Sequence, residues 1–190
     1  MRKRRPSRQH FVNHPHHGAS PHNWGKTVPE AEIRQSFWRL RDAAIFPESA
    51  LIARSADQNC GISPRPYYVD IVRTCRSCAR KFIFFAVEQQ YWFETRGFNV
   101  NSDCVDCPEC RRQKRLIKRR LDRYSRLMKQ AARTEDEMRN AVDDASFLFE
   151  RGVLSKLTPL GALKNEALRA IPSYPGTIRL GRLLARAKKA

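Results

Sequence analysis

The sequence predicts an α+β fold in which a small cysteine-knuckled ribbon, made of a short β-hairpin plus a short helix, precedes an all-α helical hairpin or bundle. Three observations predict it. Five of the six cysteines fall into Cys75-x-x-Cys78 and Cys104-x-x-Cys107-x-x-Cys110. The residues between these groups are rich in β-branched and aromatic side chains, which suit a pleated, half-buried surface. Beyond Arg111, apolar residues recur at steps of three and four, the period of a helix. A chain of 190 residues suits one domain or two small ones. The expected divisions are a basic, His/Pro-rich arm at 1–30, a short helix and extended lead-in at 31–66, the ribbon at 67–112 and a basic helical region at 113–190.

The arm opens with Arg2, Lys3, Arg4, Arg5 and Arg8, followed by Pro6, Pro15, Pro21 and all five histidines, at 10, 14, 16, 17 and 22. It lacks the apolar stretch of a secretory signal, and its prolines and missing amphipathic face argue against a transit peptide. Such a segment buries too little apolar surface to order itself, so it is expected to be disordered, with solvated histidines. After it, Ala31 to Ala44 is predicted as a short helix burying Ile33, Phe37, Trp38 and Leu40. Phe46-Pro47-Glu48-Ser49 breaks that pattern, and no sustained period returns before Pro66.

The cysteines carry the strongest chemical signal. Each C-x-x-C turn presents two thiolates from one tight loop, and two such loops complete the four-sulfur tetrahedron that Zn²⁺ prefers. With no sign of secretion, a disulfide framework is the weaker reading. No histidine lies between residues 23 and 190 and no H-E-x-x-H pattern occurs, so an open, catalytic metal position is not expected. One structural Zn²⁺ is the expected cofactor. Cys75 and Cys78 form the first knuckle. For the second, Cys107 and Cys110 are favoured because Pro108 lies inside their loop, a turn-forming residue that Cys104–Cys107 lacks. Cys104 stays open as an alternative ligand.

Around the knuckles, Tyr67–Thr74 and Arg80–Phe85 are predicted as the two strands of the ribbon, and Glu88–Thr95 as a short helix closed by Gly97. A ribbon of this size has little core beyond metal and aromatics. Phe82, Phe84, Tyr91 and Phe98 are therefore expected to be buried, leaving Phe85 and Trp92 exposed.

These residues resemble a known family. Cys75-Arg76-Ser77-Cys78, Lys81-Phe82-Ile83-Phe84, Glu88-Gln89, Tyr91-Trp92, Gly97-Phe98 and the closing Cys107-x-x-Cys110-Arg111 are similar to the probable zinc-ribbon domain family of uncharacterised bacterial proteins. The similarity covers residues 67–112. Trp38 and the segment into Tyr68-Val69-Asp70 also resemble the lead-in of some members, whereas Cys104 departs from the four-cysteine form. The resemblance implies bound zinc and a cytoplasmic, bacterial setting, and no established activity.

The remainder is predicted to be helical. Ile117, Leu121, Tyr124, Met128 and Ala131 form one stripe. Thr134-Glu135-Asp136-Glu137 is a capping box that starts a second helix with Met138, Val142, Ala145 and Phe149 buried, ended by Gly152. A third helix follows Thr158-Pro159 and carries Leu160, Leu163, Ala167 and Ile171. A short basic one contains Ile178, Leu180, Leu183 and Leu184. The short connection between the first two favours an antiparallel hairpin.

Function follows from charge. The chain holds 37 Lys+Arg against 19 Asp+Glu, a formal charge of +18, and Arg111–Arg133 concentrates eleven basic residues against the single Asp122. Such a chain attracts polyanions. The expected role is a non-catalytic zinc-binding protein whose basic helix contacts nucleic-acid phosphates without strong sequence specificity. The candidate contacts are Arg111, Arg112, Lys114, Arg115, Lys118, Arg119, Arg120, Arg123 and Arg126. The alternative is a protein-interaction adaptor that meets an acidic partner. No apolar run approaches a membrane span, and no set of residues suggests a small-molecule substrate or an enzyme.

Overall fold

The computed structural model describes residues 10–25, 28–61 and 63–188. It divides into two compact units, 1–112 and 113–190.

In the first unit, α1 (Glu30–Ser36) and a 3-10 turn (Trp38–Leu40) lead into an antiparallel sheet of β1 (Ile45–Ile52), β2 (Tyr67–Thr74) and β3 (Lys81–Phe84), ordered β1-β2-β3. β2 and β3 pair in register from Ile71–Phe84 to Thr74–Lys81, the hairpin expected of the β-rich segments. β1 was not anticipated, because Pro47 cannot donate to a ladder and reads as a breaker. An edge strand tolerates it. The register shifts between Phe46 and Leu51, and Ser49 repairs the gap there. Its Oγ donates to the Phe46 carbonyl (2.6 Å) and accepts from the Asp70 backbone N–H (2.7 Å).

Ile33, Phe37 and Leu40 pack with Ala50, Val69 and Ile71. Trp38 departs from its predicted burial and is 59% exposed, its ring covered by the Arg39 guanidinium. α2 (Ala86–Gln90) continues as a π turn over Tyr91–Thr95, and Gly97 closes it at φ +63°. The aromatic assignments also need correcting. Phe82 and Phe84 are buried as expected, but so is Phe85, while Tyr91 and Phe98 are exposed. Phe85 precedes α2 and is covered by the rings of His14, His17 and His22. Residues 10–25 of the expected arm pack against this unit. Val12 pairs with Phe82 in a parallel bridge, and Val12 and His14 are buried. Residues 1–9 and 26–27 of the predicted arm lie outside the described residues.

In the second unit, α3 (Pro108–Leu127), which begins before the division, is followed by α4 (Glu135–Glu150), α5 (Leu157–Ala170) and α6 (Pro175–Ala187). The capping box forms as written in the sequence. Thr134 accepts from the Glu137 N–H, and the Glu137 carboxylate accepts from the Thr134 N–H. The closest helix packing is among α4, α5 and α6, and α3 pairs with α4 through side chains, Arg120 and Arg123 reaching Asp144. Tyr124 and Leu127 of α3 join that core, whereas Ala131 falls beyond the end of the helix and is exposed. Ile178 also lies on the solvent side of α6. Among the described residues, no helix is long and apolar enough to cross a membrane.

Candidate metal centre

The chain turns sharply after β2. The Cys75 N–H donates to the Arg80 carbonyl and the Ala79 N–H to the Cys75 carbonyl, both at 2.9 Å, which closes the first knuckle. Ala79 adopts φ +58°, a left-handed conformation that costs a non-glycine residue about 1–2 kcal/mol. The second pair is built differently from the turn that was expected. Cys107 immediately precedes α3, its carbonyl accepting from the Arg111 N–H at 2.9 Å, and Cys110 lies in the first turn of the helix. Pro108 is the first helical residue, where its fixed φ suits the helix and its missing N–H costs nothing.

The sulfurs of Cys75, Cys78, Cys107 and Cys110 all lie within 4.8 Å of one another. Cys78 Sγ and Cys107 Sγ are 3.8 Å apart. A tetrahedral ion with metal–sulfur bonds of about 2.3 Å needs sulfur–sulfur edges of about 3.8 Å, so the residues fit a four-coordinate metal.

The electrostatics agree. Hydrogen bonds from Arg80 hold the Cys78 thiol down at about 6, so it is a thiolate at neutral pH. Burial and the neighbouring sulfurs push the Cys110 thiol up to about 12. Four thiolates crowded together without a cation repel one another, and a divalent ion relieves this. The surroundings fix the knuckles. The Cys107 N–H donates to Cys75 Sγ at 3.3 Å, Ser77 Oγ donates to Asp106 Oδ1 at 2.7 Å, and Arg80 pairs with Glu109 between the two second-knuckle cysteines.

Cys104 stands outside this quartet. Its thiol donates to the Asp106 carbonyl at 3.4 Å, and burial pushes it up to about 12, so it is a neutral packing residue beside the site. Cys60 is remote from the quartet and packs with Tyr68 and Phe93.

The candidate nucleic-acid residues separate into two groups. Arg111 is turned inward. It makes a bidentate pair with Glu88 (2.5 and 3.2 Å), both side chains being largely buried, and lies over the Trp92 ring. Arg120 and Arg123 converge on Asp144, which is fully buried, at 2.6–3.0 Å. These three arginines are engaged by acids of the fold, Arg111 largely buried and Arg120 and Arg123 still partly in water. Glu88 stands 23 residues from Arg111, and Asp144 stands 24 and 21 residues from Arg120 and Arg123, beyond any helical spacing rule. By contrast Arg112, Arg115, Lys118 and Arg119 are exposed and form no ion pair among the described residues. Lys114 and Arg126 are also exposed, with Glu137 within electrostatic reach of Arg126.

Several site residues had no sequence signal beyond position. Arg80 and Glu109 flank knuckle cysteines and could have been suspected. Ser77 and Asp106 also adjoin knuckle cysteines, and Glu88 lies in a motif that carries the family resemblance, but the partner of each could not be read from the sequence.

Residues 69–119 match a family described as a probable treble clef domain. That architecture is what the geometry shows: a knuckle, a hairpin, and a helix whose first turn returns the remaining ligands. The segment is a treble-clef, zinc-finger-like domain with four cysteines positioned to bind a metal, in keeping with the resemblance read from the sequence. No curated protein and no solved structure matches the chain.

Proposed function

We propose that the four thiolates hold one structural Zn²⁺ and that the protein has no catalytic role, binding nucleic-acid phosphates through the outward face of α3. A closed all-sulfur site supports zinc as a structural ion, since catalytic zinc keeps a position for water. The observation that carries the binding reading is the sorting of charges on α3. Arg120 and Arg123 share one buried carboxylate, Asp144, while Arg115, Lys118 and Arg119 are exposed and form no ion pair among the described residues, with Arg126 two turns further on. Steps of three and four residues place Arg115, Arg119 and Arg126 along one side of the helix. Such a row binds by charge and carries no means of reading bases, so sequence tolerance is expected.

The test is binding to short RNA and duplex DNA across 50–200 mM salt, within the range where counterion release is steep. Replacing Arg115, Lys118, Arg119 and Arg126 with Gln is expected to flatten the slope of log K against log salt by about 3–4 on duplex DNA, at ~0.9 per phosphate contact. A slope that the variant leaves unchanged, or absent binding, overturns the reading in favour of an acidic protein partner. Metal analysis of the purified protein tests the zinc assignment, with one equivalent expected.

A further inference from the structure

Away from the metal centre the first unit holds a second cluster of titratable side chains. His14, His16 and His17 come from a single turn, and His22 follows four residues after it. Reciprocal backbone bonds between His14 and Gly18 (2.7 and 2.9 Å) close it, and the Val12 N–H ties it to the Lys81 carbonyl at 2.9 Å. His14 stacks on His17 with ring centroids 4.6 Å apart, and His17 meets His22 at 5.5 Å. All three rings lie 5.0–5.6 Å from the ring of Phe85, which is buried beneath them.

Two of the three imidazoles have a carboxylate. His14 Nε2 is 3.6 Å from Glu88 Oε2 on α2, which Arg111 of α3 also engages. His22 Nδ1 is 3.8 Å from Asp70 Oδ2 on β2, and Asp70 accepts from the His22 N–H at 2.8 Å. His17 lies between these rings and forms no ion pair among the described residues. His16 is exposed, and its N–H donates to His14 Nδ1. On the far side Trp24 packs on His22, and its N–H donates to the carbonyl of exposed Glu48 on β1.

We propose that residues 12–22 are a proton-operated latch: with His17 neutral the turn docks on Phe85, and a proton on His17, wedged between two other imidazoles, releases the turn and uncovers Phe85. A proton on His14 or His22 faces an acid. One on His17 meets two neighbouring rings that can themselves carry charge, in a half-buried setting where like charges are poorly screened.

Burial, then His14 and His22, hold His17 below its ordinary 6.5, against the pull of Glu88. The sign follows. The released turn binds the proton more readily, so docking is complete above about pH 6.5 and weakens as pH falls below it. It stops weakening at the docked His17's own lower value. One proton changes the docking constant by up to about tenfold per pH unit in that window.

The test is amide hydrogen exchange on the full chain from pH 7.5 to 5.0, expressed as protection factors so that the intrinsic rate cancels. Protection at Val12, Gly18 and His22 is expected to fall about tenfold towards pH 5, while Val72 and Gln89, bonded to Ala44 and Phe85, hold theirs. His17→Phe keeps the packing without the proton and is expected to stay docked at pH 5, and His16→Gln to behave as the parent. His17→Gln removes the proton without adding bulk, and pH-independent protection is expected there too. Flat protection in the parent overturns the latch. So does a pH-dependent loss in both His17 variants, or a loss that extends to Val72 and Gln89 and so reports general unfolding.

Discussion

Asp144 offers a quantitative test of how α3 is held. Its carboxylate is fully buried on α4 and accepts from Arg120 Nη1 (3.0 Å), Arg123 Nε (2.6 Å) and Arg123 Nη2 (2.8 Å). The two arginines keep 30% and 39% of their side-chain surface in water. The network is therefore lopsided, with a buried anion and two cations that reach solvent. Removing both arginines strands the anion, at about 3–5 kcal/mol for breaking a buried pair. Loss of the Arg120 contact over the Phe147 ring, 4.3 Å to the centroid, adds about 0.5–1 kcal/mol. Removing Asp144 alone lets both guanidinium groups turn to water and costs only the net worth of charged hydrogen bonds, about 1.5–3 kcal/mol, towards the lower end because the pair is partly screened. The triple variant Arg120→Ala, Arg123→Ala, Asp144→Ala carries no stranded charge and should recover at least ~1 kcal/mol over the arginine double variant. Urea unfolding followed by circular dichroism at 222 nm measures this through midpoints at constant slope. All three tryptophans, at 24, 38 and 92, lie in the first unit, so their fluorescence does not report on the second. A triple variant no more stable than the double would refute the reasoning, because Asp144 would then not be bearing a buried charge.

Metal analysis should separate the cysteines: Cys78→Ser loses the bound equivalent and the Trp92 fluorescence of a folded treble clef, whereas Cys104→Ser keeps its metal, its native thiol being neutral and bonded to a carbonyl. Arg111→Ala should lower the melting temperature by stranding Glu88, yet leave the salt slope of nucleic-acid binding unchanged. Burial works against the ionised Glu88, but bonds from His14 and Arg111 outweigh it and hold the carboxyl below its usual 4.5. Its contribution is accordingly full above about pH 4.5 and is lost as pH falls through the lower folded value, and Arg111→Ala should flatten that acid limb in a thermal-melt pH series.

What could be read from the sequence follows the range of the interactions involved. The hairpin, the capping box at Thr134 and the apolar stripes of α4 and α5 obey local rules, and they appear within a residue or two of the expected places. The metal quartet was legible because ligand spacing is itself a local pattern. Other features depend on long-range partners. β1 pairs with β2, with Ser49 bonding Asp70 across the sheet, and residues 10–25 pack on Phe85 and β3. The pairing of Arg111 with Glu88, and of Arg120 and Arg123 with Asp144, was invisible for the same reason. A basic run looks uniform until the acids that claim some of its members are located in space.

The placement of Cys107 and Cys110 bears on how α3 forms. Starting a helix means fixing several residues before the first bond repays them, with a nucleation constant near 10⁻³, or about 4 kcal/mol. Cys107 precedes that turn of α3 and Cys110 lies within it, so a metal held by the quartet would supply the nucleus. The stretch that follows, Arg112 to Arg119, contains no fully buried side chain to help it and carries like charges one turn apart. Helicity there should propagate from the metal at one end and from Tyr124 and Leu127 at the other. The rod that displays Arg115 and Arg119 would then stiffen or fray with metal supply, which makes the ion a switch for the geometry of a charge array it never touches.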